Sequence, residues 1–129
     1  MKARVLLDTE SVCLAGIDGL DAFPKKVRKV LEDWQTDCVV SAVSIMEVAI
    51  KNGVGKLEMG ESEMRQAARD LRATIIPFTP QHAYQLFSLP LHHRDPFDRM
   101  LIATAMIEDM PLIGSDRKFR SYKGLKIIW

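Results

Sequence analysis

Across 129 residues the chain has only two cysteines, nine aromatic side chains and almost no net charge, at +1. Each scarcity excludes something. Cys13 and Cys38 stand far apart, with neither metal-ligand spacing nor a disulfide framework around them. They read as small buried thiols in a reducing compartment. A charge this close to zero announces no global affinity for nucleic acid, so such binding has to come from local patches. No apolar run approaches the roughly 20 residues of a membrane-spanning helix. The opening Met1–Leu7 starts like a signal peptide, but Asp8 stops the apolar run. These features point to a cytoplasmic protein without membrane attachment. Repeats, low-complexity tracts and linkers are also missing, so residues 1–129 read as one domain.

What is present is ordinary for a folded chain, 47% hydrophobic and 27% charged. Short apolar strands are expected at Arg4–Leu7, Cys38–Val40, Thr74–Phe78, Pro111–Gly114 and Leu125–Trp129. Helices are expected at Pro24–Gln35, Val43–Asn52, Glu61–Arg72, Pro80–Leu89 and Asp95–Asp109, while Ser11–Ile17 is ambiguous, a short helix being one reading. In the first of these, Val27, Val30, Leu31 and Trp34 recur at i, i+3, i+4 and i+7, opposite a basic face of Lys25, Lys26, Arg28 and Lys29. Strands alternating with helices imply an α/β/α sandwich built on a parallel sheet.

The stretch Arg94–Ala103 organises the chain. Asp95 suits an N-cap and Pro96 the first helical position. The helix that follows is apolar on nearly every side and belongs at the centre of the domain. Asp98 falls in its first turn, where either helix capping or metal ligation accounts for it. Three further carboxylates bear on that choice. Asp8 and Asp116 follow strands, and Glu47 is expected in the first turn of another apolar helix. Ligands of open α/β sheets bind beyond the carboxyl ends of the strands, so all four converge on one rim. Each has a bland account: Ser44-x-x-Glu47 fits a capping box, Asp8 could hold a turn, and Asp116 could start a short helix. A shared site explains the four together. Like charges that close need compensation, which a divalent cation with oxygen ligands supplies.

Several blocks carry a family likeness: Leu6-Leu7-Asp8-Thr9, Ser41-x-x-Ser44-x-x-Glu47-x-x-x-Lys51 with Gly55-Lys56-Leu57, His93-Arg94-Asp95-Pro96-Phe97-Asp98-Arg99-x-Leu101-Ile102-Ala103, and Ser115-Asp116-x-x-Phe119. Together, almost end to end and in order, they resemble the PIN-domain family and, more narrowly, the VapC-type toxins of prokaryotic toxin–antitoxin pairs. The resemblance implies a Mg²⁺- or Mn²⁺-dependent endoribonuclease, a homodimer, held inactive by a cognate VapB-type antitoxin. It implies a sheet of about five strands in order 3-2-1-4-5. It maps the family's acidic quartet onto Asp8, Glu47, Asp98 and Asp116, with Thr9 and Ser115 as neighbouring hydroxyls. Glu10 departs from the family, which often has histidine there, and is read as solvated.

In this reading Asp8, Asp98 and Asp116 are metal ligands, and Glu47 binds through a water or orients the attacking water. Arg94 and Arg99 flank Asp98 and could meet phosphate or a nearby carboxylate. Arg117, Lys118, Arg120 and Lys123 are candidates for the RNA backbone, with Tyr122 available to stack on a base. His82, His92 and His93 lack metal-ligand spacing, and His92-His93 is expected in a surface loop. The alternatives are a non-catalytic PIN-like module that holds RNA or protein, a small-molecule phosphohydrolase, and a receiver-like signalling domain. An intact acidic quartet speaks against the first. The second would need another aspartate two residues after Asp8, and the third an acidic pair near the first strand.

Overall fold

The computed structural model describes residues 2–129. Five strands, β1 (Ala3–Leu7), β2 (Thr36–Ser41), β3 (Thr74–Ile76), β4 (Leu112–Ile113) and β5 (Ile127–Ile128), form one sheet. Their order is β3-β2-β1-β4-β5, and every pair is parallel. Six helices cover the sheet: α1 (Thr9–Asp18), α2 (Lys25–Glu32), α3 (Ala42–Gly53), α4 (Glu61–Asp70), α5 (Pro80–Gln85) and α6 (Pro96–Glu108). This is the expected three-layer α/β/α architecture with strand order 3-2-1-4-5.

The period-2 alternation of strand side chains divides the interior into two apolar layers. Val5, Leu7, Cys38, Val40 and Ile113 point to one side, where they meet Val12 and Ala15 of α1, Val27 and Leu31 of α2, and Met64 and Ala67 of α4. Leu6, Val39 and Leu112 point to the other side, against Leu101, Ile102 and Ala105 of α6, with Phe119 and Tyr122 closing that layer. Register fixes both sets at once. Leu6 pairs with Val39 on one side and Leu112 on the other. β1, at the centre, is buried on both faces, which explains its unbroken apolar run.

The start of α6 follows the sequence closely. Asp95 is the N-cap, its carboxylate accepts from Asp98 N–H at 2.9 Å, and Pro96 opens the helix. Asp109, in the left-handed conformation, ends it. The ambiguous segment is a full helix, α1, capped by Asp8 and closed at Gly19, with Gly16 inside it.

Three expected boundaries are corrected. The helix expected over Pro24–Gln35 ends at Glu32, because the Asp33 carboxylate accepts from Gln35 N–H at 2.9 Å and turns the chain into β2. Trp34 therefore leaves the helical face it was assigned to and is 68% exposed. The helix bearing Glu47 begins at Ala42, with Ser41 as its N-cap, so Glu47 lies in the second turn rather than the first. The Ser44–Glu47 capping box does not form. Ser44 instead shares a 2.9 Å hydrogen bond with Thr9. Finally, the Pro80–Leu89 helix is α5 followed by a 3₁₀ turn at Leu86–Ser88. Both cysteines are free. Among the described residues no helix is long and apolar enough to cross a membrane.

Candidate metal centre

The site is built at the carboxyl ends of the two central strands. Asp8 directly follows β1 and Asp116 lies just past β4. One oxygen of each has a local duty. Asp8 Oδ1 accepts from Ser11 N–H at 2.8 Å as the N-cap of α1, and Asp116 Oδ1 accepts from Lys118 N–H at 2.9 Å as the cap of a 3₁₀ helix over Arg117–Ser121. Asp116 starts a short helix as expected and Asp8 caps a helix rather than holding a turn, yet each retains a second oxygen for other work. Asp8 Oδ2 faces Gly114, where a Cβ would lie 2.6 Å from it and 2.6 Å from Phe119 Cε2. Only a residue without a side chain lets β4 pass this close to the carboxylate.

Asp98 projects from the first turn of α6. Its Oδ2 lies 2.9 Å from His93 Nε2, and the same nitrogen donates to Asp116 Oδ2 at 3.0 Å. His93, Asp98 and Asp116 form a group whose donor atoms all lie within 4.8 Å of one another. Asp8 and Glu47 lie outside that tight group, though both carboxylates repel the Asp98 charge or are repelled by it. Glu47 is buried in α3. Its Oε2 accepts from Lys51 Nζ at 2.6 Å, while Oε1 is buried without a hydrogen-bond partner among the described residues.

The electrostatics are those of crowded, partly desolvated carboxylates. Burial pushes the Asp8 carboxyl from its ordinary 3.8 up to about 7, against the hydrogen bonds from Ser11, with Asp98 and Glu10 adding repulsion. Burial also raises Asp98 to about 6. The Asp95 carboxylate adds to this, the His93 ring opposes it, and Glu47 and Asp116 contribute further repulsion. A divalent cation among these oxygens would remove the repulsion. Hard oxygen donors, an orphaned buried carboxylate oxygen and raised carboxyl pKa values fit such an ion.

Other expected residues are placed as follows. Thr9 is buried in its hydrogen bond to Ser44. Ser115 is exposed and lines a cavity of about 260 Å³ with Glu10, Cys13 and Trp129. Glu10 is itself exposed, as expected. Arg117, Lys118, Arg120 and Lys123 are all exposed, as are Lys25, Lys26 and Lys29. Among the described residues Arg99 pairs with no carboxylate. Its guanidinium donates to the carbonyls of Leu89, Pro90 and His93 and so fastens the 89–93 loop to α6. Tyr122 is not available for stacking, being buried, with its hydroxyl donating to Pro90 O at 2.8 Å and accepting from His93 N–H at 2.8 Å.

His93 is the residue that sequence reasoning missed. It lies in a loop, as expected, but is buried at the centre of the acidic group rather than on the surface. The available signal was its position two residues before the N-cap of α6, which turns a loop side chain back over the first helical turn. Lys51 and Gly114 likewise acquire meaning only from the fold.

The PIN domain family model matches residues 5–125 of the chain. The chain belongs to the PIN domain family. Among solved structures it resembles a chain of VapBC2 from Rickettsia felis bound to a DNA fragment from their promoter, at 18% identity and a TM-score of 0.73, covering 96% of each chain. It also resembles DNA-bound VapBC from Salmonella typhimurium, at 16% identity and a TM-score of 0.69, covering 97% of this chain and 96% of that one. VapBC-5 from Mycobacterium tuberculosis, of the VapBC family of toxin–antitoxin systems, is similar at 17% identity and a TM-score of 0.59 over 98% of each chain. At these identities the likeness is one of fold. No curated protein matches the sequence significantly.

Proposed function

We propose that this chain is a metal-dependent endoribonuclease of the VapC type, working in the cytoplasm as a homodimeric one-domain protein and silenced by a cognate VapB-type antitoxin. The observation that carries this reading is the convergence of Asp8, Glu47, Asp98 and Asp116 from four separate segments, with Asp8 and Asp98 held well above ordinary carboxyl pKa values. Structural ion-pair networks normally add opposite charge. Here one ammonium, Lys51 against Glu47, and one imidazole, His93 against Asp98 and Asp116, face four carboxylates.

Asp8 Oδ2, Asp98 and Asp116 Oδ2 would hold a Mg²⁺ or Mn²⁺ ion, with Glu47 at its edge. When bound, that ion supplies charge neutralisation for the phosphodiester and acidifies water. The chain's own groups do the rest. Glu47, its Oε2 fixed by Lys51 and its buried Oε1 lacking a protein partner among the described residues, would bind the ion through a water or orient the attacking water once the ion opens the site. Ser115 stands exposed beside Asp116 for a phosphate oxygen or ribose hydroxyl. Arg117 and Lys118 would take the RNA backbone beyond it. No side-chain nucleophile is needed.

The antitoxin reading draws on a groove of about 430 Å³ between α3 and α4, lined by Ile45, Val48, Ala49, Met59, Met64 and Ile75. It lies on the face of α3 opposite Glu47 and Lys51. Its lining suits an apolar segment of a partner protein, and the resemblance to VapBC chains says which partner to try first.

The test is incubation of antitoxin-free protein with total cellular RNA and Mg²⁺ or Mn²⁺, with EDTA and Asp98→Asn as controls. Discrete cleavage lost in both controls is expected. RNA binding without cleavage, in a protein that takes up the ion, would replace the enzyme with a binding module.

A further inference from the structure

The role of His93 turns on which ring nitrogen carries the proton. Asp95 N–H donates to His93 Nδ1 at 3.2 Å. A nitrogen that accepts from a backbone amide has its lone pair occupied and carries no proton, so in the neutral ring the proton resides on Nε2. That Nε2–H donates to Asp116 Oδ2 at 3.0 Å, and Asp98 Oδ2 lies 2.9 Å from the same nitrogen as a close polar contact. A nitrogen that carries a proton has no lone pair for a metal. Swapping the proton to Nδ1 would set it against Asp95 N–H, donor against donor.

The residue is also held at its backbone and on one face of its ring. Its backbone N–H donates to the Tyr122 hydroxyl at 2.8 Å and its carbonyl accepts from Arg99. Phe119 packs against the imidazole with ring centroids 5.6 Å apart. Tyr122 OH in turn donates to Pro90 O. These contacts anchor the backbone of one buried residue whose ring is already held at Nδ1, at Nε2 and on one face.

We infer that His93 is a positioning residue rather than a metal ligand: its Nε2–H holds the Asp116 carboxylate, from the segment after β4, beside Asp98 of α6, whose Oδ2 lies against the same nitrogen. The inference rests on the proposed metal site and adds to it a residue that the acidic quartet omits. A hydrogen bond to a ligating carboxylate both aims it and lowers the entropy lost on binding, and removing such a partner typically weakens metal affinity about 10–100-fold.

Two amide variants separate the functions of the ring. His93→Gln can place an N–H near the position of Nε2 but offers nothing at Nδ1. His93→Asn can accept from Asp95 N–H near the position of Nδ1 but cannot reach the carboxylates. Mn²⁺ binding is measured by electron paramagnetic resonance on the wild type and on His93→Ala, His93→Asn and His93→Gln, with thermal unfolding of each. Ala and Asn should bind Mn²⁺ about 10–100-fold more weakly and Gln should recover most of the loss. The bound Mn²⁺ in the wild type should show no coupling to a directly ligated nitrogen. In the metal-free wild type, ¹⁵N chemical shifts should report a protonated Nε2 and a bare Nδ1. Wild-type affinity in Ala or Asn, strong nitrogen coupling in the wild type, or a bare Nε2 would each overturn the inference while leaving the metal site in place. Absence of Mn²⁺ binding in the wild type would instead bring down the metal-site reading itself, and this inference with it.

Discussion

Replacing Asp8 with asparagine isolates the electrostatic cost of gathering these carboxylates without a cation. Asparagine keeps the oxygen that accepts from Ser11 N–H at 2.8 Å, so the α1 cap survives. What disappears is a charge that burial opposes. The folded protein holds the Asp8 proton up to about pH 7, whereas an unfolded aspartate releases it near the ordinary value of 3.8. Between those values the folded state binds more protons than the unfolded one, so wild-type stability falls as pH rises through this window. The shift from 3.8 to about 7 corresponds to about 4 kcal/mol of destabilisation by pH 8, of which about 2.5 kcal/mol develops between pH 5 and pH 8. The asparagine variant escapes that term.

The assay is urea unfolding in EDTA at both pH values. The variant should gain about 2.5 kcal/mol on the wild type between pH 5 and pH 8, a relative midpoint change of roughly 1–2 M urea. Mn²⁺ should reverse the order. An ion at about 100 times its Kd adds about 2.7 kcal/mol to the protein that binds it, and the variant should gain much less. Parallel wild-type and variant stabilities from pH 5 to pH 8 would refute the reasoning, because they would mean that Asp8 is not a desolvated carboxylate.

Three other perturbations probe separate parts of the site. Gly114→Ala would drive a methyl into Asp8 Oδ2 and Phe119; about 1–3 kcal/mol of destabilisation in thermal unfolding and loss of RNA cleavage are expected. Arg99→Met keeps the aliphatic stem but strips the donors from the Leu89, Pro90 and His93 carbonyls, so urea unfolding should show a loss of about 3 kcal/mol. Reversing Arg117, Lys118 and Arg120 together, in an Asp98→Asn background that binds but does not cut, should weaken RNA binding. It should also flatten the salt dependence, by about 0.7 in log–log slope for each phosphate the protein no longer neutralises. An unchanged slope would place the RNA elsewhere.

How much was legible in advance follows from the range of the interactions involved. The start of α6 was readable because its determinants are local: a carboxylate cap, a proline and an apolar run within a few residues. The parallel sheet was readable because central strands buried on both faces leave unbroken apolar runs, and the strand order came with the family likeness. Trp34 was misplaced because a single Asp33–Gln35 turn outweighs a helical periodicity that continues past it. Glu47 fitted a capping box that never forms, since Ser41 captures the helix start one turn earlier. The burial of Tyr122 and His93 and the carbonyl contacts of Arg99 were not foreseen for one shared reason. Their partners are the carbonyls, hydroxyl and carboxylates of segments brought together only by the fold, and nothing in the spacing of residues 89–99 and 116–122 announces that these two stretches interlock. Asp8, Asp98 and Asp116 could be placed in advance because each follows a strand or opens a helix, and topology sends those points to one rim; Glu47 sits a turn deeper in its helix than its spacing suggested.

Everything proposed for this protein depends on whether those four carboxylates act as one cation-dependent cleavage site. The most direct measurement is the rate of RNA cleavage in Mg²⁺ by the wild type and by Asp8→Asn, Glu47→Gln, Asp98→Asn and Asp116→Asn, each first shown to be folded. A shared site predicts cleavage that EDTA abolishes and that falls at least about 100-fold in every variant. Cleavage that persists in EDTA, or a wild-type rate in any of the four, would contradict it.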